Sequence, residues 1–130
     1  MLHPKQFEVN DAWIVFRLNS APIRTEHDGD FNCIALMDAA SCFILGSELV
    51  PANAAELTAP QFRRLLEAAL RHGQQLPQTL LVAHGDAADP LTREATRHSI
   101  DVTRVSESEL LIFIREARQG FAEQFEDGPR

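Results

Sequence analysis

Between Phe31 and Val50 the chain carries two apolar runs back to back, FNCIALM and CFILGSELV, parted by the short break Asp38–Ser41. The first run, Phe31–Met37, is almost unbroken hydrophobe, the pattern of a strand covered on both faces. The second, Cys42–Val50, is apolar as far as Leu45 and then alternates, so one end of it leaves the core. A break this short between strand-like runs predicts a hairpin, and the rest of the chain is read as layered on it.

Upstream, Ala12–Leu18 (AWIVFRL) predicts the first strand, because β-branched and aromatic residues suit a pleated surface. Phe7 and Val9 either add a short strand or pack. Asn19–Asp30 reads as a loop, with Pro22 and His27-Asp28-Gly29-Asp30 as turn chemistry. Those acids lack the longer set of spaced oxygens and the closing glutamate of a calcium loop, and they read as a solvated turn. Downstream, Pro51 stops the third strand and residues 51–57 connect it to a helix. Thr58 is the N-cap and Pro60 fits the first turn. Phe62, Leu65, Leu66, Ala69 and Leu70 recur at helical spacing, and Gly73 is the stop, which gives a helix over 59–72.

Thr79–Ala83 (TLLVA) is a short strand, again covered on both faces, ending at His84-Gly85-Asp86. Asp89 caps a short helix that has Pro90 in its first turn and runs to about His98. Ile100–Val105 alternates as a fifth strand. Ser106 and Glu109 form a capping box. They open a last helix to about Phe125, whose stripe Leu110, Phe113, Ile114, Ala117, Phe121 and Phe125 faces the core. Residues 127–130 are a frayed tail. The order predicts an α/β fold with a five-stranded mixed sheet: three antiparallel strands, then alternating helix and strand, with helices covering the sheet.

Composition narrows the picture. The chain has 130 residues, 45% of them hydrophobic and 24% charged, which suits one domain over 1–130 with an ordered core of about 7–126. No run approaches the ~18 apolar residues of a membrane span. The N-terminus lacks a secretory signal, so the expected location is the cytoplasm. The net charge of −7 speaks against nucleic acid as a partner, because phosphate contacts need a basic stripe. Arg63, Arg64 and Arg71, and further on Arg93, Arg97 and Arg104, are each diluted by acids and read as solvated faces. If the hairpin turns between Ala39 and Ala40, Cys42 faces Met37. Cys33 is then ~13 Å away along its strand, too far for a disulfide. Two buried free thiols are expected, and no structural zinc site. The six glycines are scattered, so no phosphate loop is formed. Ser41 and Ser47 lack the setting of a nucleophile elbow.

The order of elements is similar to that of the ribonuclease H-like fold, and local residues add to the likeness. Leu36-Met37-Asp38-Ala39-Ala40-Ser41-Cys42-Phe43-Ile44-Leu45-Gly46 resembles the v-i-D-x-x-S-x-x-I-x-G of retroviral-type integrase and transposase catalytic cores. His84-Gly85-Asp86 looks like their H-S-D-x-G. The resemblance spans roughly residues 13–105. The chain also resembles small uncharacterised bacterial proteins with a D-A-A-S-x-F-I-L-G-S-E-L run.

The resemblance implies two-metal phosphoryl transfer, with carboxylates holding paired Mg²⁺ or Mn²⁺ ions. It also marks a departure. The first acid of those cores stands about three residues after a tryptophan, and counting from Trp13 that position is Phe16. Asp86 matches the second acid. The third would come from the last helix, where Glu107, Glu109, Glu116 and Glu123 are available. Asp38 matches a hairpin aspartate that is not a metal ligand in those cores and reads as a turn former. His84 either orients Asp86 or, on the favoured reading, caps loose backbone groups. The expected function is therefore a non-catalytic, degenerate integrase-like core that binds a protein partner and needs no cofactor. The alternative is a metal-dependent nuclease or nucleotidyl transferase with the rearranged set Asp38, Asp86 and Glu116. A third possibility is a small-molecule binder at the carboxyl ends of the central strands. Fold alone licenses none of these, and oligomeric state is not readable.

Overall fold

Alternation along the strands sends apolar side chains to both faces of one sheet, and that sets the layering. The computed structural model describes residues 2–54, 57–73, 75–84 and 89–126, the side chains of 125 and 126 excepted. After a 3-10 turn at Pro4–Gln6 come β1 (Ala12–Arg17), β2 (Ile23–Arg24), β3 (Asp30–Asp38) and β4 (Ile44–Pro51). Then follow α1 (Ala59–Gly73), β5 (Thr79–Ala83), α2 (Asp89–Arg97), β6 (Asp101–Val105) and α3 (Glu107–Phe121), which continues as a π-helical turn, Ala122–Glu126.

The sheet is mixed and, among the described residues, has six strands. β1 lies antiparallel to β3 and parallel to β5. β4 pairs antiparallel with β3, and β6 pairs parallel with β5. Trp13, Val15, Leu36, Leu80 and Val82 point to one face, where Phe62, Leu65, Leu66 and Ala69 of α1 and Leu91 and Ala95 of α2 cover them. Ala12, Ile14, Phe16, Cys33, Ala35, Met37, Leu81 and Ala83 point to the other, under Leu110, Phe113 and Ile114 of α3. β1, β5 and most of β3 are thus buried on both sides, which is why they read as continuous apolar runs.

Three local features differ from the sequence reading. The sixth strand, β2, lies inside the stretch read as a loop. The buried Asn19 holds that stretch against β3: its Oδ1 accepts from the Cys33 N–H at 2.8 Å, and its Nδ2 donates to Ala21 O and Asn32 Oδ1, each at 2.9 Å. Ile23 and Arg24 then fall opposite Phe31 and Asp30. The hairpin turn is also wider than expected. Met37 faces Ile44, not Cys42, and the register shifts at Leu36/Met37. Cys42 sits in the turn with φ 58°. It is half-buried, while Cys33 is buried; both thiols are free. Finally, Thr58 and Gln61 cap α1 reciprocally at 2.8 and 3.3 Å, but Ser106 makes no side-chain bond to the α3 backbone. Its hydroxyl turns to the Ser108 hydroxyl and the Glu109 carboxylate.

Between the helices of the first layer, Glu94 is buried against Arg63, whose Nε lies 3.0 Å from Oε1. Arg97 and His98 approach the same carboxylate at 3.8 and 3.5 Å. Bonding to Arg63 holds the Glu94 carboxyl below the usual range. Among the described residues no helix is long and apolar enough to cross a membrane.

Candidate functional site

The two ends of β1 hold different chemistry. At its amino end is the hairpin aspartate. Asp38 is only 1% exposed, and its carboxylate is spent on local donors. Oδ1 accepts from the Asn10 N–H at 2.8 Å, and Oδ2 accepts from the N–H and the hydroxyl of Ser41, both at 2.8 Å. Asn10, with φ 71°, passes the connection on. Its Oδ1 accepts from the Trp13 indole at 3.1 Å, and its Nδ2 donates to Gly73 O at the end of α1. One carboxylate therefore ties together the hairpin, the entry to β1 and the first helix. Cys42 lies beside it, its thiol pushed up first by burial and then by the charges of Asp38 and Glu116.

At the carboxyl end of β1 the position counted three from Trp13 is apolar. Phe16 is 4% exposed and belongs to the layer under α3. The Arg118 guanidinium of α3 stands 5.9 Å from its ring centroid, a cation–π contact. Arg118 Nε donates to Arg17 O at 3.0 Å and Nη1 to Glu107 Oε1 at 3.2 Å. Arg17 and His84 are exposed at this end, and Arg104 donates to Ala83 O at 3.4 Å.

Solved structures supply the comparison. The chain superposes on a chain of the simian T-cell lymphotropic virus intasome, solved in complex with PP2A regulatory subunit B56 gamma, at TM-score 0.59 and 13% identity; the match covers 88% of this chain and 39% of that one. On the HTLV-2 integrase catalytic core domain, solved with magnesium, the values are 0.56 and 12%, covering 95% and 70%. On the BIV integrase catalytic core they are 0.52 and 15%, covering 93% and 75%. No protein-family model and no curated protein sequence matches the chain. The fold is similar to that of a retroviral integrase catalytic core.

Asp38, Trp13 and Leu80 share one rung across β3, β1 and β5, and His84 lies four residues beyond Leu80. At about 3.3 Å per residue and about 4.8 Å per strand, Asp38 and His84 are about 16 Å apart. A metal pair needs its ligands around ions ~3.5–4 Å apart. Asp38 thus lies at the amino end of β1, and His84 at the carboxyl end of β5. Glu116 is exposed on α3 and acts on the Cys42 thiol. Asp86 lies outside the described residues. Among the described residues, which do not include Asp86, no three acids, histidines or cysteines gather as a metal set.

Two residues of these clusters escape a reading by motif. Asn10 precedes the first strand as ordinary turn chemistry. Arg118 lies three helical turns after Glu107, and that spacing is its only mark in the sequence.

Proposed function

We propose that the protein is a non-catalytic binding module built on an integrase-like core, with a protein or a small molecule as its partner. One observation carries the reading: where the first carboxylate would stand, Phe16 is buried and a guanidinium covers its ring. A phenyl ring offers no oxygen to a hard cation, and Arg118 repels a divalent ion. The net charge of −7 weighs against nucleic acid as the partner. The reading requires no cofactor.

The alternative is a nuclease or nucleotidyl transferase using Mg²⁺ or Mn²⁺ on Asp86 and an α3 glutamate such as Glu116. The likeness to integrase cores, one of them solved with magnesium, supports it. The rung occupied by Asp38 counts against the full Asp38, Asp86 and Glu116 set.

The test is an amide NMR titration with Mg²⁺ and Mn²⁺ on the wild type and Asp86→Asn, with cleavage assays on DNA and RNA. The expected result is no saturable, site-specific shift and no cleavage above the metal-free control. Saturable shifts at Asp86 and one α3 glutamate, lost in Asp86→Asn and accompanied by cleavage, would sink the binding-module reading.

A further inference from the structure

We infer that the outer edge of β4 is a docking strand: it takes an extended segment of a partner protein as a further strand, with a lysine or arginine of that segment seated against Asp28 and Asp30. The inference rests on the binding-module reading and names the class of partner.

Register shows which groups the edge offers. Leu18 N–H donates to Cys33 O, and Ala52 N–H donates to Asp30 O, both at 2.8 Å. Bonding alternates along an antiparallel pair, so Asn32, Ile34 and Leu36 of β3 bond to Val50, Glu48 and Gly46 of β4. Ser47 and Leu49 then direct their N–H and C=O groups away from the sheet. β4 pairs with β3 alone. Among the described residues these outward groups have a single partner: Gln61 Nε2 donates to Leu49 O at 3.5 Å, long for a hydrogen bond. Pro51, with no N–H to offer, ends the row.

Side chains leave this edge open. Exposed edges are commonly blunted by charge, and the opposite edge strand, β6, carries Asp101 and Arg104. The one charged residue of β4 is Glu48, and it pairs with Arg64 of α1. On the other face of the strand, Leu49 is 55% exposed. Outward backbone groups beside an exposed apolar side chain suit strand addition, in which main-chain bonds hold the segment and alternate side chains specify it.

Charge decides the occupant. Off the Pro51 end of β4 opens a concavity of about 540 Å³ lined by Asp28, Gly29, Asp30, Pro51, Ala52 and Asn53. Pro51 is two residues, about 7 Å, beyond Leu49, so a long side chain of a segment paired with β4 reaches the concavity. Among the described residues neither the Asp28 nor the Asp30 carboxylate has a hydrogen-bond or ion-pair partner. Arg24 stands opposite Asp30 in the register without pairing to it, and Glu26 lies 3.8 Å from His27. Glu26, Asp28 and Asp30 thus outweigh Arg24 at this end. A lysine or arginine of the segment answers that excess. A second copy of the chain would bring its own charge of −7 to the edge, which opposes self-pairing.

The test follows backbone amide shifts and amide hydrogen exchange of the full chain by NMR. The probe is a synthetic peptide of alternating valine and threonine with arginines at both ends. Two controls replace the arginines by glutamates, or methylate every valine and threonine nitrogen. The expected result is saturable shifts and slowed exchange at Ser47 and Leu49, with shifts at Asp28 and Asp30, for the arginine peptide alone. Leu49→Lys, and Asp28→Asn combined with Asp30→Asn, should each weaken binding about tenfold. All three residues are exposed, so the variants stay folded. No saturable shift, equal binding of either control peptide, or unchanged affinity in either variant would overturn the proposal. So would slowed exchange at Ser47 and Leu49 that follows protein concentration without peptide, the mark of a second copy. A silent peptide with a silent metal titration removes the docking strand alone. Cleavage with metal-induced shifts at Asp86 removes the binding-module reading, whatever the peptide does.

Discussion

Removing the Asp38 carboxylate separates a structural role from a catalytic one. The side chain accepts three hydrogen bonds at 2.8 Å while 1% exposed. A hydrogen bond to a charged group contributes about 1.5–3 kcal/mol. The Asn10 N–H is half-buried and water cannot fully replace its partner, so its loss costs about 2 kcal/mol. Ser41 is exposed, and its two donors recover most of their bonding from solvent, leaving about 1 kcal/mol. Asp38→Ala should therefore destabilise by about 3 kcal/mol, a large share of the 5–15 kcal/mol typical of a domain. Asp38→Asn keeps one acceptor and should cost about half as much.

Trp13 reports the transition directly. It is the single tryptophan, it is fully buried, and its indole bonds to Asn10 within the same network. Urea unfolding followed by its fluorescence should show the Asp38→Ala midpoint falling by about 2 M, given a slope of about 1.5 kcal/mol/M. Unchanged slope with a lower midpoint marks a pure stability effect. A loss below about 1 kcal/mol, or equal losses for Asn and Ala, would refute the network as the reason for this aspartate.

Three further outcomes follow from the same structure. In Gly73→Ala the new Cβ would lie 2.9 Å from Asn10 Oδ1; because Asn10 is pinned at both ends of its amide, the variant should lose about 1–2 kcal/mol in the same urea assay. Glu94 has its carboxyl held below the ordinary value of 4.5, so it contributes stability above that pH and loses it as pH falls through the lower folded value; Glu94→Gln should flatten the acid limb of a stability–pH curve. Both thiols are raised above 9.0 chiefly by burial, so alkylation near pH 8 should be slow, with Cys42 reacting before the more deeply buried Cys33 and both accelerating to ordinary rates in urea.

Much of the fold was legible because strands covered on both faces write themselves as unbroken apolar runs. Phe31–Met37 and Thr79–Ala83 are of that kind, and helical spacing marked α1 and α3 as plainly. Less legible was whatever depends on side chains bonding to distant backbone. β2 forms because Asn19 reaches Ala21, Asn32 and Cys33, and no local pattern announces that. The tip of the hairpin was misjudged because the Asp38 carboxylate, not a two-residue turn, curls the chain as far as Cys42. Gly73 was read as a helix stop and does close α1; not legible was that its missing side chain also leaves room for Asn10. At the candidate site the absence of an acid at Phe16 could be counted from Trp13, whereas the guanidinium above it could not. Arg118 is one charged residue among several on α3, and only the packing of that helix brings it to the end of β1.

The same geometry separates motif from mechanism. The D-x-x-S hairpin that gives the sequence its likeness to integrase cores sits on the Trp13 rung, about 16 Å from His84 at the far end of β5. The demands at the two ends are independent. The amino end of β1 needs an acceptor for Asn10 and Ser41, and Asp38 meets that need whether or not any metal binds. The nuclease alternative proposed above would need oxygens converging at the other end, where Phe16 faces α3. The bonding of the hairpin is therefore satisfied without reference to any metal. Phe16→Asp probes that independence. It places a carboxylate in the apolar layer beneath Arg118 and should destabilise the fold by several kcal/mol, while leaving the Asn10 and Trp13 amide resonances in place in the folded fraction. If Mg²⁺ restored the lost stability by binding the folded state, the carboxyl end would be a metal site lacking one ligand. If it does not, the end of β1 is built around its guanidinium.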